Sequence, residues 1–155
     1  MSSLIRLCAL FLGLVAGLAQ AASPVNTLKP GLFRDTPTDT AILGYDTVAD
    51  FTQGEPVPGD DRYVLEWQGA KWKFASAEHL ALFTANPEQY APQYGGYCAF
   101  GVTRDYLVKI DPQAWDLVDG KLYLNYDKSV QKQWQKDRAN FILSADRKFP
   151  GLLAK

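Results

Sequence analysis

Between Tyr63 and Phe74 apolar and polar positions alternate. Tyr63, Leu65 and Trp67 point one way, Gln68-Gly69-Ala70 turns the chain, and Trp72 and Phe74 return with Lys71 and Lys73 outward. A period of two around a central turn predicts a β-hairpin with one buried face. The pattern then changes. Ser76 is a good N-cap, Glu78 suits the first turn of a helix dipole, and the segment 77–86 predicts a helix that Pro87 stops. Residues 88–101 show no period and are expected to be irregular, with Gly95-Gly96 allowing a tight bend beside Cys98.

The same grammar returns downstream. Asp119-Gly120 is a strong two-residue turn signal. It predicts pairing of Val118 with Lys121, Leu117 with Leu122, Asp116 with Tyr123 and Trp115 with Leu124. Alternation then places Trp115, Leu117, Leu122 and Leu124 on one apolar face. Asp127 or Ser129 caps a last helix, in which Val130, Trp134, Phe141, Ile142 and Ala145 recur at helical spacing up to Phe149-Pro150. Counted from the turn glycines, Trp72, Phe74, Ser76 and Phe83 share their offsets with Tyr123, Asn125, Asp127 and Trp134. The chain thus reads as α+β, one small domain of two β-hairpin-plus-helix units. Upstream, Asp46 predicts the cap of a short helix that turns Val48, Ala49 and Phe51 to one face. Residues 22–40 hold three prolines and little periodicity, and read as an irregular N-terminal arm.

The first 21 residues change the picture of compartment. Arg6 precedes the apolar run LCALFLGLVAGLA, and Ala19-Gln20-Ala21 closes it. That order of charged, apolar and small residues is the pattern of a cleaved secretory signal peptide, and the run is short for a persistent membrane span. A retained anchor is the alternative, and N-terminal sequencing of exported protein separates the two. The expected location is the periplasm or the outside of the cell, with no stable membrane span after processing. Residues 1–21 would then be the signal, 22–40 the arm and 41–150 the folded domain. Cys8 would leave with the signal, so Cys98 remains as a single free cysteine and no disulfide can staple the domain. The whole chain carries a net charge of −1, its cations are scattered, and no basic stripe interleaves with aromatics. Nucleic acid is not an expected partner.

At this point a resemblance can be given. FASAEHLALFTANPEQY resembles the core of the YHS domain, whose metal-associated members read roughly F-C-S-x-x-C-x-x-x-F, then a Pro and Y. Phe74, Ser76, Phe83, Pro87 and Tyr90 match that frame. The flanks GYDTVADFTQG and YAPQYGGYCAFGV…DGKLYLNYDKSVQKQW are similar to secreted single-domain members, so the resemblance spans about residues 41–149. It implies a small binding module, in some members associated with heavy metals. Ala75 stands where the metal-associated members place their first cysteine of the motif, and His79 stands at the second. Their N-terminal cysteine, before Gly, has no equivalent around Leu43-Gly44-Tyr45. Cys98 belongs to the secreted group's own YGGYC motif.

The candidate chemistry follows from few residues. His79, the chain's one histidine, and Cys98 are suitable ligands for copper or zinc, with Tyr45 and Asp46 as further ligand candidates. The expectation is that the Gly95-Gly96 bend brings Cys98 to the N-terminus of the helix after Ser76, where a thiolate would be stabilised beside His79. Two alternatives stand beside it: a thiol-dependent redox protein using Cys98, and a structural or partner-docking domain in which Cys98 is core. No HxxxH, CxxC or CxH spacing supplies a four-ligand zinc site, and a Cys-His enzyme lacks an oxyanion element, so no catalytic residue is assigned and an enzyme is not favoured.

Overall fold

The structure is a computed structural model that describes residues 21–155; the signal-peptide reading of the first residues lies outside them. Two hairpins carry it. Strands β1 (Leu28–Lys29) and β2 (Thr36–Pro37) close a small hairpin in the arm, and β3 (Tyr45–Asp46) leads into helix α1 (Thr47–Thr52). After β4 (Val57–Pro58), which pairs with β3, comes the first large hairpin, β5 (Asp60–Trp67) and β6 (Ala70–Phe74). Helix α2 (Ala77–Ala85) follows directly, then α3 (Pro87–Tyr90) and α4 (Ala99–Thr103). The second large hairpin is β7 (Asp111–Val118) and β8 (Lys121–Asn125), followed by α5 (Lys128–Gln135) and α6 (Arg138–Leu153).

The register predicted for the second hairpin holds, while the first turn is shorter than expected, because Gln68-Gly69 turns the chain alone and Ala70 is already a strand residue. Leu65 faces Trp72 and Trp67 faces Ala70 in the first hairpin; Trp115 faces Leu124 and Val118 faces Lys121 in the second. Both turns use two residues of positive φ, Gln68-Gly69 and Asp119-Gly120, whose twist matches that of the strands they join. Both hairpins also break register at the same place, between Asp60 and Val64 and between Asp111 and Trp115. Ser76 and Asp127 cap the two helices by accepting from the backbone N–H of His79 and Val130 respectively. Phe83 then packs on Phe74 with ring centroids 5.0 Å apart, and Trp134 on Tyr123 at 5.3 Å.

The duplication reaches further upstream than the hairpins. Before α1 the chain makes a left-handed turn at Ile42, Leu43 and Gly44, and before α4 it makes another at Tyr94, Gly95 and Gly96. Ile42 is β-branched, so its positive φ is a strained position that the surrounding packing must hold. Gly96 lies against the Ile42 side chain so closely that a Cβ there would overlap Cδ1. The arm binds the two turns together. Asn26 is buried, its N–H donates to Gly95 O, its Nδ2 to Gly96 O, and its carbonyl accepts from Ile42 N.

Four expectations need correction. Leu117 is 39% exposed rather than part of an apolar face. The reason is that β8, not β7, is the strand covered on both sides. Its Leu122 and Leu124 join the cluster around Phe74 and Phe83, and its Tyr123 joins a second cluster with Tyr94, Trp134 and Ala145. The last helix is two helices, because Asp137 leaves the helical backbone, at φ −152° and ψ 46°, and its carboxylate accepts from the Asn140 side-chain amide with both oxygens. Helix α6 runs through Pro150 to Leu153, since burial of Leu152 in the second cluster holds the final turn in place. Finally, residues 88–101 contain the short helices α3 and α4 instead of an irregular run.

Candidate functional site

Asp46 is the centre of the first unit. It ends β3 and caps α1, with Oδ1 accepting from Val48 N at 2.9 Å and Ala49 N at 3.4 Å. Its other oxygen reaches across to the second element of the unit. Oδ2 accepts from Ala75 N at 2.8 Å, just before α2, and lies 2.6 Å from Nδ1 of His79 in the first turn of α2. The Asp46 side chain is completely buried and that of His79 is 9% exposed. A carboxylate is stable at such depth only when its lone pairs are filled, and here four donors fill them.

That pairing sets the imidazole. An ionised Asp46 accepts, so Nδ1 carries the proton, and the chemistry of the ring is left to Nε2. Nε2 faces Oγ1 of Thr52 at 3.2 Å, at the C-terminal end of α1 and on the exposed surface. The Thr52 hydroxyl also lies 3.0 Å from Val48 O. Its single proton can go to that carbonyl or to Nε2, and with the ring proton on Nδ1 the neutral Nε2 can only accept it, through its lone pair. A carboxylate on Nδ1 with Nε2 toward the surface is the arrangement that orients ligating histidines and raises their basicity.

Asp50, one turn into α1, is the residue that sequence reading passed over. It is buried with Oδ1 unpartnered, and burial, reinforced by the charge of Asp46, pushes its carboxyl up to about 7. In the unfolded chain the same group titrates near 3.8. Between these values the folded protein keeps a proton that the unfolded chain has released. Stability therefore falls as pH rises from about 4 to 7, and the loss is complete above 7, on the order of 2–4 kcal/mol. Asp50→Asn is expected to remove that slope, so its stabilisation over wild type should grow from pH 4.5 to pH 8 in denaturant melts. An equal difference at both pH values would show that Asp50 ionises freely in the folded state.

Cys98 occupies the same place in the second unit that Asp46 holds in the first. Each follows a Gly-Tyr pair after the left-handed turn, and each is the N-cap of a short helix. The Cys98 sulfur accepts from Gly101 N at 3.3 Å, while Phe100 N donates to Asn125 Oδ1 at 3.2 Å. Tyr126 stands six residues after Gly120, as Ala75 stands six after Gly69. The thiol lies 3.8 Å from Asn125 Oδ1. His79 has Val130 as its counterpart, and there Cys98, Phe100, Tyr126 and Val130 help to line a shallow apolar pocket of about 230 Å³. Burial pushes the thiol up from its ordinary value, the backbone N–H groups opposing it only in part.

The structure therefore brings together two of the four candidate ligands, Asp46 and His79. Tyr45 adjoins them in β3, and Cys98 has Asn125 and Gly101 as its own partners. At the N-terminus of α2, where a thiolate was expected, the neighbouring anion is the Asp46 carboxylate. Among the described residues no three His, Cys, Asp or Glu side chains gather in a way that could hold a metal ion. The donor set does not suit a resident four-ligand zinc centre, and it suits a single imidazole contact. Residues 48–94 match the family model of the YHS domain, from α1 to the second left-handed turn. No curated protein and no solved structure matches the chain.

Proposed function

Since this chain carries a YHS domain over residues 48–94, we propose that it is a binding module whose His79 imidazole contacts a transition metal, copper or zinc, brought as cargo. One observation carries the proposal: the 2.6 Å contact between Asp46 Oδ2 and His79 Nδ1, which leaves Nε2, held only by the hydroxyl of the exposed Thr52, as the ring's ligating atom. The metal would supply a coordination centre whose remaining ligands come from the molecule that carries it. Asp46 acts as the orienting carboxylate and not as a ligand, and Thr52 yields its hydrogen bond when Nε2 is engaged. A thiol-dependent redox role for Cys98 has less support, because burial holds its sulfur protonated and thiolate is the reactive form.

Titration of the protein with Cu(I) and Zn(II), read by calorimetry, tests the proposal. Binding is expected to be lost in His79→Gln, retained or tightened in Thr52→Ala, unchanged in Cys98→Ser, and weakened as falling pH lets protons compete for Nε2. Undiminished binding by His79→Gln would sink the proposal. Loss in Cys98→Ser with retention in His79→Gln would move the metal to the thiol.

A further inference from the structure

The turn between β1 and β2 presents the two most exposed large apolar side chains among the described residues, Leu32 at 90% and Phe33 at 95%. The next, Tyr106, is 64% exposed. These two residues touch neither core cluster. They are also not a frayed end. The turn is tied on both sides, by the pairing of Leu28 with Pro37 and Lys29 with Thr36, and by Thr38, whose N–H and hydroxyl both donate to Thr27 O. Gly31 lies so close to the Arg34 carbonyl that a Cβ would overlap it, so the tip is a tight bend with Leu32 and Phe33 at its apex. Among the described residues nothing covers this apolar apex.

Charge decides what it meets. Lys29 stands at the base of the turn and Arg34 directly after the apex, and neither forms an ion pair among the described residues. Asp35 follows Arg34, and Asp39 further on is occupied by Lys71 at 2.7 Å. Two apolar side chains at the apex with unpaired cations just behind them match the layering of a bilayer surface, where the apex enters the acyl boundary and the cations stay among anionic headgroups. We infer that the β1–β2 turn is a membrane-docking loop, which seats the domain on an anionic lipid surface through Leu32 and Phe33. It is peripheral docking: no described helix is long and apolar enough to cross a membrane.

Co-sedimentation of the full chain with phosphatidylcholine vesicles, with and without an anionic lipid such as phosphatidylglycerol, tests this. Any contribution of residues 1–21 is common to all variants, so the comparison between them isolates the loop. The double variant Leu32→Ser/Phe33→Ser is expected to bind anionic vesicles at least about tenfold more weakly than wild type while melting at the same temperature, because both side chains are already in solvent. Arg34→Glu should lower the preference for anionic over neutral vesicles several-fold. Phe33→Trp should add a tryptophan fluorescence component that brominated lipid quenches and that wild type lacks. Equal sedimentation of wild type and the double serine variant, or no added quenching in Phe33→Trp, would overturn the inference. So would concentration-dependent self-association that the double serine variant abolishes, since the apex would then be a contact between copies.

Discussion

Replacing Asp46 by alanine is expected to cost the domain about 3–5 kcal/mol, measured as a lower denaturant midpoint. The effect is large because one side chain serves three elements. Its carboxylate caps α1 through Val48 and Ala49, receives Ala75 N ahead of α2, and holds His79 Nδ1. Alanine would leave these buried or half-buried donors without an acceptor, and an orphaned donor costs its full desolvation. Asp46→Asn is no remedy: its amide nitrogen must face backbone N–H groups on one side or the other. A midpoint within experimental error of wild type for Asp46→Ala would mean that the four donors find water in the folded state.

Trp134→Ala is expected to lose a similar amount, about 3–5 kcal/mol, from the other end of the molecule. Trp134 is fully buried in α5 and tilted over Tyr123, with the ring planes at 35°. Its truncation opens a cavity between the second hairpin and the helices that cover it. The indole Nε1 has no partner at that depth. Trp134→Phe therefore removes an unsatisfied donor along with part of the ring, and is expected to cost far less than alanine. A loss near zero for Trp134→Ala would place the indole on the surface and undo the equivalence of Trp134 with Phe83.

That equivalence also shows why the candidate site was only partly legible. His79 was visible as a lone histidine in the first turn of a capped helix, and Asp46 as a helix cap. Their contact was not, because 33 residues separate them and a cap carboxylate has a spare oxygen wherever it occurs. Thr52 and Asp50 carry no signal of their own: a threonine at a helix end and a lone aspartate in a short helix read as surface. Cys98 did carry one. Gly44-Tyr45-Asp46 and Gly96-Tyr97-Cys98 are the same phrase with the cap residue exchanged, and aligning them would have assigned Cys98 to its own helix.

What the chain determined by itself was local. Gly69 and Gly120, with alternation on either side, set two hairpins, and Asp119-Gly120 set the register of the second, since a hairpin's pairing follows from its turn and its period of two. Ser76 and Asp127 set two helix starts, because a cap acts on amides within three residues of it. Tertiary structure decided the rest. Leu117 is exposed and Tyr123 buried because burial depends on which strand lies between the clusters, and alternation cannot say so. The Asp46–His79 pair, the raised Asp50 carboxyl and the separate setting of Cys98 arise from packing elements that are distant in the chain. Desolvation and hydrogen bonding act through space, and only the folded arrangement fixes which groups lose water and which partners they gain in its place.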